Sequence, residues 1–202
     1  MDESVRTALA RWPDVPDVYR WLVLDERGRY RLRAADYAAS GGFEVIGNPA
    51  ITDFIGRNYQ SDARGRWYFQ NGPQRVFVRL NLTPWIYRCT SDHAPLTHTG
   101  RAATHIEGLW IDDLSRPVML TDIGPGAVDD RDLDQIVTAL TDSDGRPIDE
   151  AGLAAWLARP ATGSLLFSWG GSRHAVQPIR HRELESRFGF VADPASPAPG
   201  CA

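Results

Sequence analysis

Residues able to do chemistry gather in two places. The first is the stretch 89–113, which holds Cys89, His93, His98, His105, Asp112 and Asp113. Neutral imidazole and thiolate are good zinc ligands, and a catalytic zinc needs only three protein ligands and an open position. On that reading His93, His98 and His105 hold zinc as the cofactor of a metal-dependent hydrolase. The alternative is a polar loop with no cofactor, whose histidines hydrogen-bond the backbone, since Cys-x3-His-x4-His matches no common zinc spacing. Cys89 beside a histidine would make a thiolate–imidazolium pair. Its alternation with Trp85 and Tyr87 argues instead for a small buried hydrophobe.

The second place is a basic and aromatic hairpin, residues 66–80. Strand alternation puts Arg66, Tyr68, Arg75, Phe77 and Arg79 on one face, and Arg29, Arg31 and Arg33 alternate likewise on an earlier hairpin. The leading expectation is a binding or accessory module that takes an unknown small molecule or protein on this Arg/aromatic-rich sheet face. Arg57, Tyr59, Trp67, Gln70 and Arg75 are the expected lining of its pocket. An RNA-binding sheet platform is a further alternative, because exposed rings and guanidiniums stack bases and hold phosphates. Nucleic acid is the less favoured partner, for the net charge is −4. Residues 1–105 carry 14 Arg against 11 acidic residues, and the remainder carries 8 against 15. Pairing between the two halves accounts for that split without any ligand.

Several chemistries lack their residues. There is no lysine, so Schiff-base catalysis and a Walker-type phosphate loop are excluded. Gly163-Ser164 and Gly171-Ser172 do not form a nucleophile elbow. Gly124-Pro125-Gly126 is no phosphate cradle. Asp142-Ser143-Asp144-Gly145 lacks the remaining ligands of a calcium loop. The acidic run Asp129 to Asp134 reads as helix capping. No residue is assigned a catalytic role.

These side chains need elements to position them. Val5, Ala8, Leu9 and Trp12 predict a helix over 3–12, ended by Pro13 and Pro16. Hairpins are predicted for 19–24 with 29–33, for 66–70 with 75–80, for 105–112 with 117–121 and for 164–169 with 174–179. Asn48 and Pro49 start a helix whose apolar stripe is Ile51, Phe54, Ile55 and Tyr59. Asp129 or Asp130 and Asp149 cap two more. The fold class is α+β: a β-rich, mostly antiparallel sheet built from several hairpins, flanked by four or five short helices. Residues 1–191 are expected to form one globular domain, and the Pro-rich residues 192–202 a disordered tail. No fixed period continues along the chain, so no repeat architecture is read. Cys89 and Cys201 are read as free thiols in a reducing, cytoplasmic compartment. No signal peptide or membrane-spanning run is present. A free edge strand would allow a homodimer.

The string Asn58-Tyr59, then Gly65 to Val76, then Thr83-Pro84-Trp85 and Thr97-His98-Thr99-Gly100 resembles a family of uncharacterised proteobacterial proteins grouped as a domain of unknown function. The resemblance covers most of residues 15–160. It implies a cytoplasmic protein without an established activity, cofactor or catalytic residue.

Overall fold

The computed structural model describes residues 1–90, 94–159 and 164–196. Its contacts divide the chain into two compact units, Met1–Pro84 joined by the segment from Gly189 on, and Trp85–Phe188. The first unit contains α1 (Glu3–Arg11), β1 (Val18–Leu24), β2 (Tyr30–Arg33), α2 (Tyr37–Ser40), β3 (Phe43–Val45), α3 (Pro49–Arg57), β4 (Tyr59–Ser61), β5 (Trp67–Asn71) and β6 (Gln74–Leu80). The second contains β7 (Trp85–Cys89), β8 (Pro95–Thr97), β9 (Ile106–Asp112), β10 (Pro117–Thr121), β11 (Gly124–Val128), α4 (Leu133–Thr138), β12 (Leu140–Thr141), α5 (Glu150–Ala158), β13 (Leu166–Trp169), β14 (Ser172–Ile179) and α6 (Leu184–Phe188). The α+β class and the hairpins are as expected.

The six-stranded sheet of the first unit runs β3-β2-β1-β6-β5-β4. Within the eight-stranded sheet of the second, the order β11-β10-β9-β14-β13-β12 is the same one, with β7 and β8 added beyond β11. Both join their halves by a parallel pair, β1 with β6 and β9 with β14. Each places a helix, α3 or α4, between the third and fourth strands of this shared order. The chain therefore does repeat a topology. No period was visible because β7 and β8 precede the second copy and α5 interrupts its last three strands.

One local device shapes four turns. Asp25, Asp62, Asp112 and Asp142 are each followed by Gly or Ser three residues on and by Arg four residues on. In each, the Asp N–H donates to the Arg carbonyl, and the Gly or Ser N–H donates back to the Asp carbonyl. One carboxylate oxygen accepts two further backbone N–H groups, at 2.9 and 3.0 Å for Asp62 and at 3.0 and 2.8 Å for Asp112. The other carboxylate oxygen takes the guanidinium of the Arg, at 2.8, 2.7 and 2.9 Å for the first three turns. One carboxylate thus closes the turn and pairs the Arg that begins the return. Thr97 builds the same backbone turn with a hydroxyl, at 3.0 Å from the Arg101 N–H.

The fourth position needs positive φ, 72° at Gly28, 74° at Gly65 and 82° at Gly145, which glycine adopts at little cost. Ser115 holds φ 61° there without that freedom. A side chain at Gly65 would also run into the Gly189 carbonyl.

The core of the first unit lies between its sheet and α3. Leu22, Leu24, Val78 and Ile55 are buried, and Phe54 meets Phe69 edge to face. Asn48 caps α3 by accepting from the Ala50 N–H, with Pro49 in the first position. The helix stops at Arg57. Asn58 donates to the Phe54 carbonyl, and its own carbonyl accepts from Gln70 N–H, which turns the chain into β4. Tyr59 is therefore a strand residue opposite Phe69, not the end of a helical stripe. From the tail, the Ala192 carbonyl accepts from Leu80 N–H and Pro194 is buried. In the second unit Asp149 caps α5 through Gly152 N–H, while Trp110 meets Phe188 edge to face.

Three substitutions test the turns in urea unfolding. Asp112 is fully buried, so Asp112→Ala should cost about 3 kcal/mol, whereas Asp142→Ala, at a more exposed turn, should cost about 1 kcal/mol or less. Ser115→Gly should stabilise by about 0.5–1 kcal/mol by relieving the left-handed backbone.

Candidate functional site

The sheet of the first unit has two unlike faces. One packs on α3. The other carries Arg66, Tyr68, Gln70, Arg75, Phe77 and Arg79, since Tyr68 pairs with Phe77 and Gln70 with Arg75 across β5 and β6. This is the face that alternation predicts. Its guanidiniums lie on its rings. Arg66 sits 4.5 Å from the Phe77 centroid, Arg75 5.2 Å from Tyr68 and Arg79 5.2 Å from Phe43. Arg33 lies 4.0 Å from Tyr37 and 5.5 Å from Trp21.

A backbone irregularity extends the face onto β1. The parallel register passes from Val18↔Val76 to Leu22↔Val78, so three residues of β1 oppose one of β6. Arg20, inside that bulge, has φ 63°. Such strain in a non-glycine residue persists only where surroundings enforce it, and bulges re-aim side chains. Here Tyr19 stacks flat on Phe77 at 4.6 Å, and Trp21 is 49% exposed under Arg33.

Val23 marks the centre of the cationic part. Arg31 on β2 and Arg79 on β6 are both in register with it, so they flank it on one face about 10 Å apart. Arg33 is one pleat further along β2. Among the described residues none of these three has a carboxylate partner. Arg31 gives one N–H to the Phe43 carbonyl at 2.9 Å, while its Nε is buried without a hydrogen-bond partner among those residues. By contrast Arg66 is tied to Asp62, whose carboxyl burial would raise but whose hydrogen bonds from Arg66 and Arg64 hold below its ordinary value.

The five expected lining residues do not share a pocket. Tyr59 and Trp67 come together, rings 4.9 Å apart, on the face toward α3. The Tyr59 hydroxyl donates to the Pro84 carbonyl at 3.1 Å, and burial lifts its pKa well above the phenol range. Gln70 and Arg75 pair across the strands on the opposite face, where Gln70 is buried and donates to the Gly72 carbonyl. Arg57 is exposed and reaches Asp2 at 3.3 Å. Arg31, Arg33, Trp21 and Phe43 are absent from that expected lining. The signal for the arginines was the alternation of Arg29, Arg31 and Arg33, but nothing in the sequence placed β1 between β2 and β6.

The histidine reading gains no support. His93 lies outside the described residues. His98 accepts the Ile86 N–H on Nδ1 at 3.3 Å and packs on Trp85, and burial lowers its pKa to about 3. His105 is exposed, 3.2 Å from the Thr104 hydroxyl and 3.7 Å from Glu107. No group of three or more His, Cys, Asp or Glu able to hold a metal occurs among the described residues. Cys89 is buried, and burial first, then Asp132, raises its thiol to about 12. No described helix is long and apolar enough to cross a membrane.

His98 sets a pH signature. Its folded pKa lies below the unfolded value near 6.5, so the unfolded chain binds the extra proton between the two. Stability from this group is complete above about pH 6.5 and falls as pH drops toward 3. Urea titrations across that window should show the loss, and His98→Gln should flatten it.

Residues 1–195 match the model of a family described as a protein of unknown function, DUF2946, and the chain belongs to that family. No curated protein matches the chain. A solved structure of a DUF1285 family protein from Silicibacter pomeroyi DSS-3 is similar in fold, with a TM-score of 0.51 at 14% identity, covering 92% of this chain and 99% of that one.

Proposed function

We propose that this member of a family of unknown function is a binding or accessory module, and that the Arg31, Arg33 and Arg79 face of its first unit holds an anionic ligand. The observation that carries the reading is a contrast within one chain. Arg29, Arg66 and Arg116 are each closed on the aspartate of their own turn, whereas these three stand on one sheet face with no carboxylate partner among the described residues. Like charges so placed repel, and an anion arriving among them relieves the repulsion. Stacking on Phe43, Tyr37 and Trp21 fixes the planes of two of the guanidiniums and leaves their N–H edges for a carboxylate or phosphate.

The ring faces of Tyr68 and Phe77 are already covered by Arg75, Arg66 and Tyr19, so they offer no platform for bases. This weighs for a small anion or an acidic segment over RNA. A bacterial cytoplasm is the setting the reading assumes, consistent with Cys89 as a buried free thiol.

Trp21 provides the readout. Titration of the full chain with citrate and with inorganic pyrophosphate should change the Trp21 emission, with Trp21→Phe identifying the signal. The response should weaken steeply with salt. Arg33→Gln and Arg79→Gln should each lower the affinity at least tenfold without moving the urea midpoint. A salt-insensitive response, or variants that bind as well as the parent, would overturn the proposal.

A further inference from the structure

The first unit has an open groove of about 550 Å³ between α3 and its sheet. That volume lies within the roughly 300–1,000 Å³ usual for ligand sites. Ile51, Phe54 and Ile55 form one wall, at the i, i+3, i+4 spacing of a single helix face. The floor is the sheet face opposite the arginines. Phe69 with Val76, and Leu22 with Leu32, are cross-strand pairs of that face, and both pairs line the groove. The groove thus crosses β5, β6, β1 and β2, a span of about 14 Å at the usual strand spacing.

Its apolar side chains stand open. Leu32 on the sheet is 45% exposed and Ile51 on the helix 47% exposed, so two elements present apolar groups to one groove. A single exposed apolar residue is ordinary, but contiguous ones mark a surface that binds. The topology does not require them. In the second unit the helix at the same place, α4, presents Asp134, Gln135 and Thr138 instead.

The polar lining is sparse and uncharged. Asn71 and Gln74, a cross-strand pair at the β5–β6 turn, supply it. Gln74 donates its amide N–H to the Pro16 carbonyl at 3.0 Å, which leaves its own amide oxygen as an acceptor. Among the described residues no charged side chain lines the groove. At the far end Glu44 is in register with Leu32, so neither end offers a cation.

We infer that this groove binds an uncharged amphiphile, an unbranched alkyl chain ending in a hydroxyl. The chain lies across the strands against Leu32, Ile51 and Phe54, and the hydroxyl donates to the Gln74 amide oxygen. A carboxylate in that place would lose its hydration with no cation to receive it. The site lies on the other side of the sheet from Arg31, Arg33 and Arg79 and does not rest on their reading as an anion site.

Calorimetric titration of the full chain with 1-decanol tests this. It should bind with one-to-one stoichiometry, and 1-octanol should bind about tenfold more weakly for its missing methylenes. Decanoate should displace 1-decanol at least tenfold less effectively than a second dose of the alcohol. Leu32→Gln and Ile51→Gln should each weaken binding at least tenfold with the urea midpoint unchanged, because both side chains are exposed. Leu114→Gln, at an exposed leucine of the second unit, should bind like the parent. No binding of 1-decanol, displacement by decanoate as effective as by the alcohol, groove variants that bind like the parent, or an equal loss in Leu114→Gln would overturn it.

Discussion

The carboxylate of a turn aspartate, shared between backbone N–H groups and the arginine four residues on, is the interaction on which most of this structure depends. It solves two problems at once. A tight turn exposes N–H donors that its own carbonyls cannot reach, and a strand that starts on arginine brings a charge to the edge of the core. At Asp25 and Asp112 the carboxylate is itself almost fully buried. Burial of a lone charge is costly, but here each carboxylate oxygen is occupied by backbone donors or a guanidinium. The arrangement is local in sequence and fixes where β1 returns as β2, β4 as β5 and β9 as β10.

That economy of charge gives meaning to the arginines outside it. A guanidinium resting on a ring gains about 0.5–1 kcal/mol at an exposed site, and the ring leaves its charge unneutralised. Arg33, Arg75 and Arg79 have only such rings beneath them. Stability alone does not explain their clustering, because three like charges on one face work against the folded state. The bulge at Tyr19 to Trp21 adds strain at the same edge.

Local features were readable from the sequence and long-range ones were not. Asn48 with Pro49, and Asp149 before its apolar turn, announce their helices because capping involves only neighbouring residues. The hairpins announce themselves by turn residues between alternating arms. The parallel pairs β1–β6 and β9–β14 have no such signature, yet they decide which faces adjoin. This is why the alternation of Arg75, Phe77 and Arg79 was legible while their junction with Arg31 and Arg33 was not. Strands as short as β3 and β12 carry too few residues for a period to show. Tyr59 continued a helical stripe in sequence, and only the Asn58 hydrogen bonds end that helix before it. The four Asp-to-Arg turns share one residue spacing, but the hydrogen bonds that make them one device appear only in the folded chain.

The shared strand order also bears on how one chain can hold two different surfaces. Closed turns and a buried parallel seam supply each unit with its own framework, so the helix wall and the fifth-to-sixth-strand turn are free to vary. In the first unit that wall is apolar, and the polar chemistry has moved to the opposite face of the sheet. In the second the helix side of the wall bears Asp134, Gln135 and Thr138. Gln70 and Arg75 occupy in β5 and β6 the register that Ser168 and Arg173 occupy in β13 and β14. An arginine at the same strand position is thus stacked on Tyr68 in one copy and lies beside the turn glycine Gly145 in the other. The difference lies in its neighbours: Tyr68 on β5 offers a ring, whereas Leu166, its counterpart on β13, does not.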